Sequence, residues 1–263
     1  MKQIFIFTLA MIFLASTYVD AQNLAVFFDG VDFESYISAP DHPCFHADIG
    51  LPFTIECWFK PADKEGERMI LNKEDSWEFA NKDGRFQAAV APAGAGWAWH
   101  DSQLGTKVNE WNHGALVWDG KEVRMFINGK EGNASALAGN AMAATGDTFK
   151  IGRRERGGAT HSVYNGLIDE VRISKGGRYD GDYDVPKREF EDDADTVAIY
   201  HFNEIVNGDE VENFAKIAAN PCPNGTLEGA VEFVDANDVP FLPAAVEPGG
   251  KLATAWGRLK VAP

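Results

Sequence analysis

The side chains able to do chemistry fall into three groups. Trp97, Trp99 and His100 follow a Gly-Ala loop at residues 91–96. Trp97 and Trp99 alternate and so share one face of an extended segment, and Trp77 from a neighbouring strand is expected to join them. Aromatic rings beside a few polar groups suit the flat face of a sugar, although large rings also fill cores. The second group is two carboxylates. Asp29 stands at a strand-to-turn junction next to Gly30, and Asp169 interrupts an apolar strand, where an unpartnered charge is costly to bury. Either Asp29 caps its turn and Asp169 pairs with an arginine such as Arg172, or both bind a cation. The third group is Cys44, Cys57 and Cys222. Cys44 and Cys222 lie in Pro-rich loops, while Cys57 alternates with Phe53, Ile55 and Phe59 as a small core residue would. A Cys44–Cys222 disulfide with Cys57 free is expected; three free thiols are the alternative.

Several chemistries have no support in the pattern. There is no GxSxG motif and no paired-histidine zinc motif. His42-x-Cys44-x-His46 is interrupted by Pro43 and reads as a plain loop. Asp180, Asp182, Asp184 and Glu191 have some calcium-loop spacing, but Val185 stands where the loop's glycine belongs, so a solvated loop is expected. Asp169 and Glu170 are adjacent, as are Glu74 and Asp75, and neighbours on a regular strand face opposite sides.

Short strands and turns must position these groups. In residues 111–130, WNHGALVWDGKEVRMFINGK, two β-rich runs flank Asp119-Gly120, a dipeptide that accepts the positive φ of a tight hairpin. Further strands are expected at 24–28, 33–38, 53–60, 68–73, 77–81, 85–91, 149–152, 167–174, 196–202 and 230–234. Residues 132–145 read as a surface loop. No segment sustains a 3.6-residue apolar period, so the chain reads as an all-β, two-sheet antiparallel sandwich or jelly roll.

The chain has 263 residues and a formal charge of −16. An acidic surface disfavours nucleic acid as a partner. Lys2, the apolar run 4–15 and Val19-Asp20-Ala21 read as a secretory leader, with cleavage expected after Ala21. That run is too short to span a bilayer, so no membrane span is expected. One domain over residues 23–239 should follow, with 240–263, rich in Pro and Gly, as a tail or linker.

The stretches FFDGVDFESYIS (27–38), FTIECWFKP (53–61), the hairpin 111–130 and YNGLIDEVRIS (164–174) together resemble the laminin-G-like, concanavalin A-like lectin/glucanase superfamily. The resemblance spans roughly residues 24–204. It implies a sandwich of about six strands per sheet, an early strand beside a late one, and Tyr200 to Gly229 packed onto the same sandwich. It also implies a structural calcium ion held by Asp29 and Asp169. Glucanases of this superfamily carry carboxylates on alternate residues of one strand, a pattern missing here, so no enzyme activity is expected. The expected function is a secreted, non-catalytic module that recognises a carbohydrate or glycosylated surface. The alternatives are an adhesion module docking extracellular or cell-surface proteins and, less favoured, a glycoside hydrolase.

Overall fold

The computed structural model describes residues 23–46, 48–205 and 208–240. The expected leader at 1–21 and the tail beyond residue 240 lie outside the described residues. The first strands are β1 (Leu24–Asp29), β2 (Tyr36–Ala39), β3 (Phe53–Pro61), β4 (Glu67–Lys73), β5 (Trp77–Lys82), β6 (Arg85–Val90) and β7 (Ala98–Gly105). Next come β8 (Asn112–Trp118), β9 (Glu122–Ile127), β10 (Lys130–Glu131), β11 (Ser135–Ala136), β12 (Phe149–Ile151), β13 (Arg153–Arg156) and β14 (Ala159–Val163). The last are β15 (Asn165–Lys175), β16 (Thr196–Tyr200), β17 (Glu210–Val211), β18 (Gly225–Glu228) and β19 (Glu232–Asp235).

Two antiparallel sheets pack as a sandwich. The first runs β10-β9-β8-β3-β15-β1-β19, with β11 on β9 and β16 on β15. The second runs β17-β18-β2-β12-β4-β5-β6-β7. Period-two alternation aims Ile55, Phe59, Phe79, Phe86, Val123 and Ile168 into one core between them. Burying each such side chain contributes about 1.5–3 kcal/mol.

The β8–β9 hairpin forms where its turn chemistry places it. Gly120 has φ +85°, and Asp119 Oδ1 accepts the amides of Lys121 and Glu122 at 2.8 and 2.9 Å. A Cβ at Gly120 would also meet the Gly139 carbonyl oxygen at 2.6 Å, so any side chain there strains the turn twice. β1 pairs with β15 in the register Val26↔Ile168 and Asp29↔Asn165, so an early strand does lie beside a late one. Cys44 and Cys222 are bonded, with Cα atoms 5.5 Å apart, and Cys57 is a free, buried core thiol, as the sequence leads one to expect.

The sheets hold nine and eight strands, more than about six each. The additions are mainly two- to four-residue strands at the edges, among them β10, β11, β17 and β18, too short to show a period. The separate β13–β14 hairpin reads RRERGGATHSV and lacks apolar alternation, so nothing in its pattern marks it as strands. It packs beside β4.

Candidate functional site

The tryptophan pair stands at the free edge of the second sheet. Trp99 in β7 faces Ala89 of β6, which in turn faces Glu78 of β5. Trp97 just precedes the strand, and the two rings meet edge to face with centroids 5.5 Å apart. Both are partly exposed. Alternation puts Asp101 on the same side, where Gln87 donates to its Oδ2 at 3.4 Å and Arg85 pairs with it at 3.0 Å. Lys82 lies over the Trp99 ring, 5.1 Å from its centroid. An aromatic surface fringed by an acid, an amide and two cations has the components of a sugar subsite.

Two residues expected at this platform are elsewhere. Trp77 is fully buried, donates from Nε1 to the Phe45 carbonyl at 2.7 Å and packs on Phe149. Its register, Trp77↔Val90↔Ala98, puts it one step out of phase with Trp99, on the core side. His100 follows Trp99 directly and so faces the other way, opposite Ala88 in the core row. Burial holds its imidazole below the ordinary range.

Beneath Trp97 lies a charge cluster that the sequence does not announce. Arg154 of β13 stacks under the ring at 5.3 Å and binds Glu74 through two bonds of 3.0 and 3.1 Å. Its Nη2 is also 3.0 Å from Glu78 Oε1, though misaligned for a hydrogen bond, and its Nη1 is 3.4 Å from Glu67. Three carboxylates therefore crowd one guanidinium. Burial pushes Glu78 up to about 9, with the neighbouring Glu74 charge adding to the rise. Glu74 is also opposed by burial, yet Arg154 and Asn72 hold it below its usual value. Divided carboxyls of this kind can serve acid–base chemistry. Glu78 is fully buried and Glu74 nearly so, which keeps a saccharide away from both.

The outward face of the first sheet is closed by the chain that follows β15. Tyr179 and Tyr183 stack at 3.6 Å and cover Ala115, Val117 and Phe126. Underneath, Glu56 is fully buried and paired with Arg172 at 2.7 Å. Tyr179 donates to Glu56 at 2.6 Å, and His113 Nε2 is 3.2 Å away. Burial alone would raise Glu56, but Arg172, His113 and Tyr179 overcome it and hold the carboxyl down to about 2.

Farther along β15 the ladder shifts register between Asp169 and Arg172, and Glu170 takes φ +50°. Ile168 and Val171 both enter the core, so the two intervening residues leave it together. Adjacent Asp169 and Glu170 thus share the outward face, contrary to what strict alternation predicts. Glu170 Oε1 is 2.5 Å from His201 Nδ1, and Glu170 Oε2 accepts the Phe190 amide at 2.6 Å. Asn203 donates to Glu189 at 2.8 Å. Glu170, Glu189 and His201 each offer a ligand atom, all within 4.8 Å of one another. Asp29 is not with them. It is exposed, caps its own turn by accepting the amides of Val31 and Asp32, and faces Asn165, four residues before Asp169. That spacing is about 13 Å along a strand, so Asp29 and Asp169 do not share an ion.

Among the expected loops, His46 Nε2 contacts Asp41 at 3.1 Å and Cys44 is spent in the disulfide, so no metal set forms there. In the 180–191 segment Asp182 pairs with Lys130 at 2.7 Å, and Tyr183 is mostly buried against the sheet. That segment is a strap over the sandwich and only partly a solvated loop.

The concanavalin A-like lectin/glucanases superfamily, through its laminin-G-type family, matches residues 28–178. No curated protein matches the sequence. Among solved structures, a candidate carbohydrate-binding protein from Bacteroides ovatus aligns with TM-score 0.64 and 16% identity over 84% of this chain. This chain spans 62% of that protein's length. A heptameric SAP-like pentraxin from Limulus polyphemus aligns with TM-score 0.53 and 12% identity, over 83% of this chain and 98% of the other. At these identities the likeness is one of fold.

Proposed function

We propose, from the premise that the chain belongs to the concanavalin A-like lectin/glucanases superfamily, that it is a secreted, non-catalytic module that binds a carbohydrate or glycosylated surface. The observation that carries this reading is the partly exposed Trp97–Trp99 pair, with Asp101, Gln87, Arg85 and Lys82 beside it. The rings offer apolar area to a sugar face, and the fringe offers donors and acceptors to its hydroxyls. The Bacteroides ovatus neighbour, described as a candidate carbohydrate-binding protein, supports the same class.

The disulfide supports an extracytoplasmic address, since such bonds persist in oxidising compartments. Among the described residues no helix is long and apolar enough to cross a membrane. The experiment is a glycan-array screen of the full chain with the Trp97→Ala/Trp99→Ala variant beside it. Binding to one sugar class that the variant loses supports the proposal; an equal signal from the variant refutes this site.

A second reading has its own observation. Val31 and Phe33, at the loop between β1 and β2, are 73% and 53% exposed. Apolar side chains so placed suit docking to a protein surface. Pull-down of an extracellular protein that Phe33→Ser abolishes, together with a blank array, would favour it.

A further inference from the structure

The resemblance implies calcium at Asp29 and Asp169, and those residues do not fit one ion. Asp29 faces Asn165, and its Oδ1 is taken by two turn amides. A different set of ligands does converge. Glu170 comes from the bulge of β15, Glu189 from the strap before β16, and His201 from the residue after β16, with their ligand atoms mutually within 4.8 Å. A further feature points to a cation here. Asp169 has no exposed surface, its Oδ2 makes no well-aligned hydrogen bond although the Asn23 amide is close by, and the carboxyl lies within electrostatic reach of Glu170 and Glu189. Asp169, Glu170 and Glu189 thus lie near the His201 imidazole. Glu189 also lines a surface cleft of about 370 Å³, together with Arg172, Lys187, Arg188 and Glu191, so the edge of the cluster reaches the surface beside both charge signs.

We infer that Glu170, Glu189 and His201 form a site for a first-row divalent metal of the zinc or manganese class, with Asp169 supplying further negative charge. The donor chemistry selects the ion. Calcium takes an all-oxygen shell of six to eight ligands, whereas an imidazole nitrogen beside two carboxylates suits zinc and its neighbours. The ligands come from three separate segments, so the metal ties the strap to β15 and the end of β16. It stands on the first sheet, away from the tryptophan pair on the second, so metal and sugar binding can fail independently.

The test is thermal unfolding of the chelator-treated full chain with zinc chloride, manganese chloride or calcium chloride added, with bound metal counted by elemental analysis. At a metal concentration about 100 times the dissociation constant, Tm should rise by about 5 °C or more. One zinc or manganese ion per chain is expected, and both Glu189→Gln and His201→Gln should lose the shift and the bound ion. Glu189 lies at the cleft margin, so its isosteric replacement keeps the test alive if His201→Gln does not fold. No shift with any metal overturns the inference. So does a shift that persists in Glu189→Gln, or a shift with calcium alone.

Discussion

Glu56 and Glu78 have no exposed surface, each points outward from one of the two sheets, and their surroundings drive them in opposite directions. At Glu56 one carboxylate meets Arg172, Tyr179 and His113, and the group stays ionised down to about pH 2. At Glu78 three carboxylates share Arg154, and the carboxyl is pushed up to about 9. The first network is matched charge for charge and sealed under two stacked tyrosines. The second crowds carboxyls under Trp97 so closely that one of them, Glu78, stays protonated at neutral pH, at the sheet edge where aromatic rings remain partly exposed. Matched charges fasten an element, while mismatch beside an open surface marks where stability has yielded to another demand.

The largest effect should come from breaking the matched side. Glu56→Gln leaves Arg172 buried without its counter-charge and is expected to cost about 3–5 kcal/mol in urea unfolding. Because Glu56 is held below its ordinary value, its contribution is full above about pH 4.5 and lost as pH falls towards 2. Wild-type stability should therefore drop through that window and the variant's much less. A variant as stable as wild type at pH 7 would remove the distinction between the two faces.

Opening the disulfide comes next. The bond spans 178 residues, and Cys44→Ser/Cys222→Ser should cost about 2–4 kcal/mol by freeing the unfolded chain. Binding at the tryptophan edge should survive where the variant is folded; loss of binding in a folded variant would tie the two regions together.

Glu78→Gln should act in the opposite direction to Glu56→Gln. A carboxyl whose folded pKa lies above its unfolded one destabilises the native state as pH rises from about 4.5 to 9. Its replacement should stabilise by about 1–2 kcal/mol at pH 7 and by nothing at pH 4. Destabilisation at pH 7 would show that Arg154 satisfies Glu78 after all. The smallest change in stability, about 1 kcal/mol or less, is expected for Trp99→Ala, because its ring is partly exposed at an edge strand. A drop of several kcal/mol in thermal or urea unfolding would make Trp99 a core residue.

The parts legible in the sequence were those with local causes. Asp119-Gly120 sets a hairpin, alternation in FTIECWFKP and YNGLIDEVRIS sets strand faces, and Cys57 stands apart from the other cysteines by that alternation. The same alternation brings Trp97 and Trp99 together, and applied across strands it would have excluded Trp77 and His100. What escaped depends on register and on distant pairing. A one-residue bulge puts Asp169 and Glu170 on one face, and Arg154 reaches Glu74, 80 positions earlier, through an unpatterned hairpin. Glu56 did carry a signal: a lone acid within an apolar strand needs a buried partner, as the arginine of the IDEVRIS strand proves to be.

The most direct test of the central claim is the affinity of the full chain for the sugar class found on the array, compared with Trp99→Ala by titration calorimetry. A loss of about tenfold or more with Tm unchanged within a few degrees is the expected result. Equal affinity in wild type and variant would contradict it, and so would an array on which no glycan binds.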